Sequence, residues 1–132
     1  MGSVSSVRLL AALGALLACT SCFIFNRHSS ASRPAPPRGE VALDVTNHNF
    51  LDVVVYVVHD GQQTRVGTVT GSSSAVFYLP PHLIGQGREI QLVGHPIGGT
   101  NLAQTETIVV QPGQYISWTL ETDLRRSSVG VF

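Results

Sequence analysis

At 132 residues the chain has room for one domain. It is 43% hydrophobic and only 12% charged, its eight acidic and eight basic residues cancel, and every basic residue is arginine. With no net charge and no basic cluster, nucleic acid is not an expected partner, because that affinity is built on neutralised phosphates.

The chain begins MGSVSSVRLLAALGALLACTSC, one arginine followed by an apolar run over residues 9–18. A run of that length is a signal-peptide core, too short alone to cross a bilayer. At its end stand Leu16, Leu17, Ala18 and Cys19. This segment resembles the lipobox of bacterial lipoproteins, with a leucine three residues before the cysteine and a small residue just before it. The resemblance covers residues 1–22 only, and Leu17 is bulkier than the middle residue usual in that family. It implies cleavage before Cys19 and lipid on the thiol and new amino terminus, so the membrane becomes a partner through that lipid. Thr20 differs from the aspartate of an inner-membrane retention signal, which favours the outer membrane where the cell has one. Two alternatives stay open: lipidation at Cys22, and an uncleaved signal anchor over residues 9–25. All of them put the folded domain outside the cytoplasm.

Cys19 and Cys22 also spell C-x-x-C. The pair lies in the targeting segment, away from any strand-to-helix junction, and no second pair completes a zinc site, so neither redox nor metal chemistry is expected from it. Residues 26–39, NRHSSASRPAPPRG, form a Ser- and Pro-rich spacer without secondary structure. Extended at roughly 3.1 Å per residue, it would reach about 40 Å. The expected organisation is a signal peptide at 1–18, a lipid-anchored disordered linker at 19–39 and a β-domain at 40–132.

Within the domain, residues 40–46 alternate Val41, Leu43 and Val45 against Glu40, Ala42 and Asp44, the pattern of a half-buried strand. Asn47, His48 and Asn49 turn the chain into DVVVYVVHDGQQTRVGTVT. The continuous Val/Tyr run predicts a strand covered on both faces. Asp60-Gly61 supplies a hairpin turn, and Gln62, Gln63 and Thr64 suggest a loop longer than the minimum. A loop at 71–74, a strand at 75–79 and a stop at Pro80-Pro81 follow. Leu83 and Ile84, in the loop after that stop, are expected to cap the core. Residues 88–94 form another strand, broken at His95-Pro96. Residues 104–111 and 114–122 predict two more, the second with Ile116, Trp118 and Leu120 inward, and residues 128–132 an edge strand. About seven short strands with no helical period after residue 25 predict an all-β, antiparallel two-sheet sandwich. It loosely resembles immunoglobulin-like or transthyretin-like domains, a likeness that carries no function.

No catalytic constellation is legible. His28, His48, His59, His82 and His95 are scattered, and the Ser72-Ser73-Ser74 run lacks a nucleophile elbow. No catalytic residue, cofactor or metal is therefore expected. The leading expectation is a non-enzymatic envelope lipoprotein, with another envelope protein as its second partner. Two alternatives are a small extracytoplasmic enzyme or ligand-binding domain, with a site built from residues 47–49 and 95–100, and a module self-associating through the edge at Val129, Gly130 and Val131.

Overall fold

Alternation in the sequence becomes alternation in space. In β1 (Val41–Asn47) Val41, Leu43 and Val45 face the core, and in β2 (Val53–His59) Val53, Val55 and Val57 do the same. The structure, a computed structural model, describes residues 35–132. Cys19, Cys22, His28 and the first part of the spacer lie outside the described residues.

β2 differs from the expected strand covered on both faces. Val54, Tyr56 and Val58 are half-buried, so its β-branched run serves one full core face and one partly wetted face. At the turn, Asp60 and Gly61 both have positive φ, 49° and 74°. His59 pairs directly with Gln62 at the start of β3 (Gln62–Val69), so the loop has the minimal two residues. Primed turns match the right-handed strand twist, which is why Asp-Gly suffices and Gln62-Gln63 joins the ladder. The register then slips between Val55 and Tyr56, leaving Val66 as the extra residue of a bulge that packs it against the core.

The chain continues through β4 (Ser73–Leu79), a single helical turn α1 (Pro81–Ile84), β5 (Glu89–Pro96), and two short bridges, β6 (Ala103–Gln104) and β7 (Ile108–Val109). β8 (Tyr115–Leu120) and β9 (Ser128–Val131) complete it. Two sheets result: four strands in the order β4-β1-β8-β9, and β3-β2-β5-β6 with β7 added beside β5. This is the all-β sandwich the strand pattern predicts, with nine strands because residues 103–110 split into two bridges. β5 runs on through His95 and Pro96, which pair with Val54 and Val53, instead of breaking there. Ile84 is buried and Leu83 packs against the core, so this turn caps one end.

One pair departs from the antiparallel expectation. β1 and β8 run parallel, Ala42 beside Tyr115 through Asn47 beside Leu120. A parallel neighbour needs a long crossover, and here it runs through the whole second sheet and through β4. Both central strands therefore point to the same end of the sandwich. The connections at 48–52, 70–72, 97–102 and 121–127 gather there; we call it the loop end. Trp118, Ile116 and Leu120 have no exposed surface, as the alternation predicts, and β9 is an edge strand.

Candidate interaction surface at the loop end

Two asparagines build this end. Asn47, almost fully buried, donates from Nδ2 to the carbonyls of Leu51 (2.9 Å) and Thr70 (3.2 Å), and its Oδ1 accepts from the Asn49 N–H (2.9 Å). Asn49 donates from Nδ2 to Thr122 O (2.7 Å) and accepts from the Leu51 N–H (2.9 Å). Short amide side chains suit this work, because they mimic a backbone turn while giving buried peptide groups their partners. Further ties lock the neighbours: Ser72 N–H to Asn49 O (2.9 Å), Ile97 N–H to Asp52 O (2.8 Å), and Gly71 N–H to Asp52 Oδ1 (2.9 Å).

Gly71 lies so close to residue 50 that a Cβ on it would run into the Phe50 carbonyl oxygen. The backbone of Phe50 is thus clamped from several sides, while its side chain is 76% exposed. On the adjoining loop, tied through Asp52, Ile97 is 55% exposed. Between the loops runs a cleft of about 200 Å³ bordered by Phe50, Leu51, Pro96, Gly99 and Thr100. It is below the roughly 300–1,000 Å³ of small-molecule sites. A rigid mount carrying an exposed aromatic ring suits contact with a partner surface, where such rings act as anchors.

The residues expected to form a loop-built site do meet here. Residues 47–49 and 96–100 share the loop end, yet the amides of Asn47 and Asn49 are already bonded to backbone. His95 points elsewhere, to the outer face of the five-stranded sheet, edge-on to Tyr56 (ring centroids 5.1 Å) and 3.4 Å from the Gln63 amide. His48 stands 3.4 Å from Glu121 on the surface. The His59 Nδ1 lies 3.5 Å from Asp60 but in no hydrogen-bond geometry, and Asp60 is 79% exposed, so solvent screens that contact. Among the described residues no three His, Cys, Asp or Glu side chains converge as metal ligands. The serine run is structural: Ser73 donates to Thr70 O (2.7 Å) and Ser74 to Thr46 Oγ1 (3.3 Å).

Arg125 forks onto Asp123 at 3.0 and 3.1 Å, and Asp123 also accepts the Arg125 N–H at the start of the 3₁₀ turn Leu124–Arg126. The Arg125 side chain and then its backbone N–H hold the Asp123 carboxyl below its ordinary range. Its folded-state pKa being depressed, whatever stability it adds is present above the unfolded pKa and lost as pH falls through the lowered one.

Sequence reasoning missed Phe50. The available signal was a lone aromatic inside a polar Asn/Asp turn, a place where burial is not expected.

No protein family and no curated protein matches the chain. Solved structures do match it, among them an NMR structure of a protein from Eubacterium rectale. That protein is 15% identical; the match covers 71% of this chain and 87% of that one, with a TM-score of 0.42.

Proposed function

We propose that this protein is a lipid-anchored, non-enzymatic interaction module of the cell envelope. It is tethered to a membrane, the outer one where present, through Cys19, and docks its loop end on a second envelope protein. The observation that carries the reading is Phe50, an aromatic side chain left in water on a loop that two buried asparagines and a space-starved glycine hold fixed. The lipobox-like Leu16-Leu17-Ala18-Cys19 and the Pro-rich spacer support the tether.

Two measurements test the two halves separately. Intact mass of the membrane-extracted protein should give a species starting at Cys19 and carrying acyl chains, absent in Cys19→Ala. A full-length unlipidated mass would replace the lipid with a signal anchor. For the docking half, Phe50→Ser should leave the unfolding midpoint unchanged and weaken co-purification of the partner protein from solubilised envelopes by about 2 kcal/mol or more, the size of an interface anchor. An unchanged set of co-purifying proteins would remove the loop end as the interface.

A further inference from the structure

The outer face of the four-stranded sheet can be read from its register, independently of the loop end. Residues alternating with the core-facing Val41, Leu43, Val45, Ile116 and Trp118 stand outward in rows. The first row is Tyr78, Ala42 and Tyr115, continued by Phe132, which exchanges backbone hydrogen bonds with Tyr115 at 3.0 and 2.8 Å. The second is Val76, Asp44, Ser117 and Gly130; the third is Ser74, Thr46, Thr119 and Ser128. At ordinary strand spacings the face measures about 14 Å across the strands and about 13 Å along them.

Its chemistry is sharply divided. Tyr78 is 42% exposed and Phe132 58%, with Ala42 fully buried between the two tyrosines. The Tyr115 and Phe132 ring centroids lie 6.4 Å apart. The Phe132 ring also leans over Gly130, where a Cβ would meet its Cε2 at 3.0 Å. Next to this band sits one carboxylate, Asp44, held by the Tyr115 hydroxyl at 2.6 Å through Oδ2. Beyond it come hydroxyls. No arginine or histidine occurs in the three rows.

We infer that this face binds a neutral glycan. A sugar ring carries apolar C–H surface on its faces and hydroxyls on its rim. The C–H surface stacks on aromatic planes, and the rim donates to a carboxylate and exchanges hydrogen bonds with Ser and Thr hydroxyls. The alternation here, a row with three rings, a row holding the Asp44 carboxylate beside the half-exposed Val76, and a row of hydroxyls, repeats that division at about 7 Å from row to row. An anionic partner is disfavoured, since Asp44 is the one charged side chain in the three rows and no cation among them offsets a phosphate. A bilayer is disfavoured too, because docking would draw the Asp44 carboxylate into the interface without a cation to accompany it.

The test uses the full chain reconstituted in phosphatidylcholine nanodiscs, with insoluble cellulose and chitin as the glycan probes and empty discs as the control. Loaded discs should be retained on at least one probe, and the Tyr78→Ser/Phe132→Ser double variant should bind about tenfold more weakly, its melting midpoint lowered by a few degrees through the lost contacts over Ala42 and Tyr115 while it stays folded. Should that variant fold poorly, Tyr115→Phe, which keeps the ring and removes only the hydroxyl on Asp44, should still weaken retention. Retention on neither probe, or retention indifferent to these substitutions, would overturn the inference. So would hydrogen exchange showing β4 and β9 shielded by the disc itself without glycan, which would make this the membrane-facing side.

Discussion

Trp118→Ala is expected to lower the unfolding free energy by about 3–5 kcal/mol, the range for a fully buried large aromatic. That is a large share of the roughly 5–15 kcal/mol a domain of this size has in total. The indole has no exposed surface and occupies the middle of β8, flanked by Val45 on β1 and Val129 on β9. It reaches across to the other sheet at Gly94, where a Cβ would meet the indole Cη2 at 3.3 Å and Val53 Cγ1 at 2.9 Å. Glycine on β5 thus leaves room that the indole fills, and removing the indole leaves a cavity between two stiff sheets that cannot close on it. The indole N–H, however, is buried with no partner. Trp118→Phe removes that unsatisfied donor while keeping an aromatic ring in place, so its cost should be smaller, about 1–2 kcal/mol. Urea unfolding followed by circular dichroism would measure both variants. The wild type can be followed by fluorescence as well, since Trp118 is the one tryptophan in the chain. Equal losses for Phe and Ala would mean that the N–H has a bridging water and that its hydrogen bond, not only ring packing, holds the core.

What the sequence could convey follows from how local each feature is. The β2–β3 hairpin is legible because Asp60-Gly61 states its own backbone conformation. The burial of Ile116, Trp118 and Leu120 is legible because alternation reports a face. The parallel neighbour of β1 is not, since nothing within β1 or β8 distinguishes a parallel partner from an antiparallel one. That choice is made by where the intervening sheet packs. Nor can the pattern separate β6 from β7, because Thr105 interrupts the ladder with its own side chain, accepting the Leu92 N–H at 2.9 Å. Asn47, His48 and Asn49 read as a turn; Asn47 in fact ends β1, paired with Ser73 and Leu120, and the connection starts at His48. Their role as the mount of Phe50 depends on Thr70, Thr122 and Gly71, distant in sequence and brought together only by the fold. The three aromatics of the outer face are scattered over residues 78, 115 and 132. Only the register aligns them.

Gly71→Ala is the second large expectation, about 3 kcal/mol or more, and its cause is space. The added methyl would overlap the Phe50 carbonyl oxygen and stand 2.6 Å from its carbon, backbone atoms that cannot rotate away as a side chain could. Relief requires moving the 49–51 segment or the 70–72 turn. Either shift strains the Gly71 N–H to Asp52, the Ser72 N–H to Asn49 and the Asn47 amide to Thr70. The buried Asn47 amide and the Asn49 carbonyl would then be short of a partner, together with the more exposed Gly71 N–H, which adds to the cost of ordinary overpacking. Gly61, at the other end of β3, supplies the contrast. It has φ 74° and nothing within 4 Å of the place a methyl would take, so Gly61→Ala meets only the left-handed backbone penalty of about 1–2 kcal/mol. Chemical denaturation of the two variants side by side separates crowding from conformational strain. The comparison also bears on function: Gly71→Ala should displace Phe50 and weaken partner binding in whatever fraction still folds, whereas Gly61→Ala, a strand's length away, should leave binding intact. A Gly71→Ala protein with full stability would mean that the Phe50 carbonyl can retreat freely. The loop would then be too soft to serve as the rigid mount that docking through Phe50 requires.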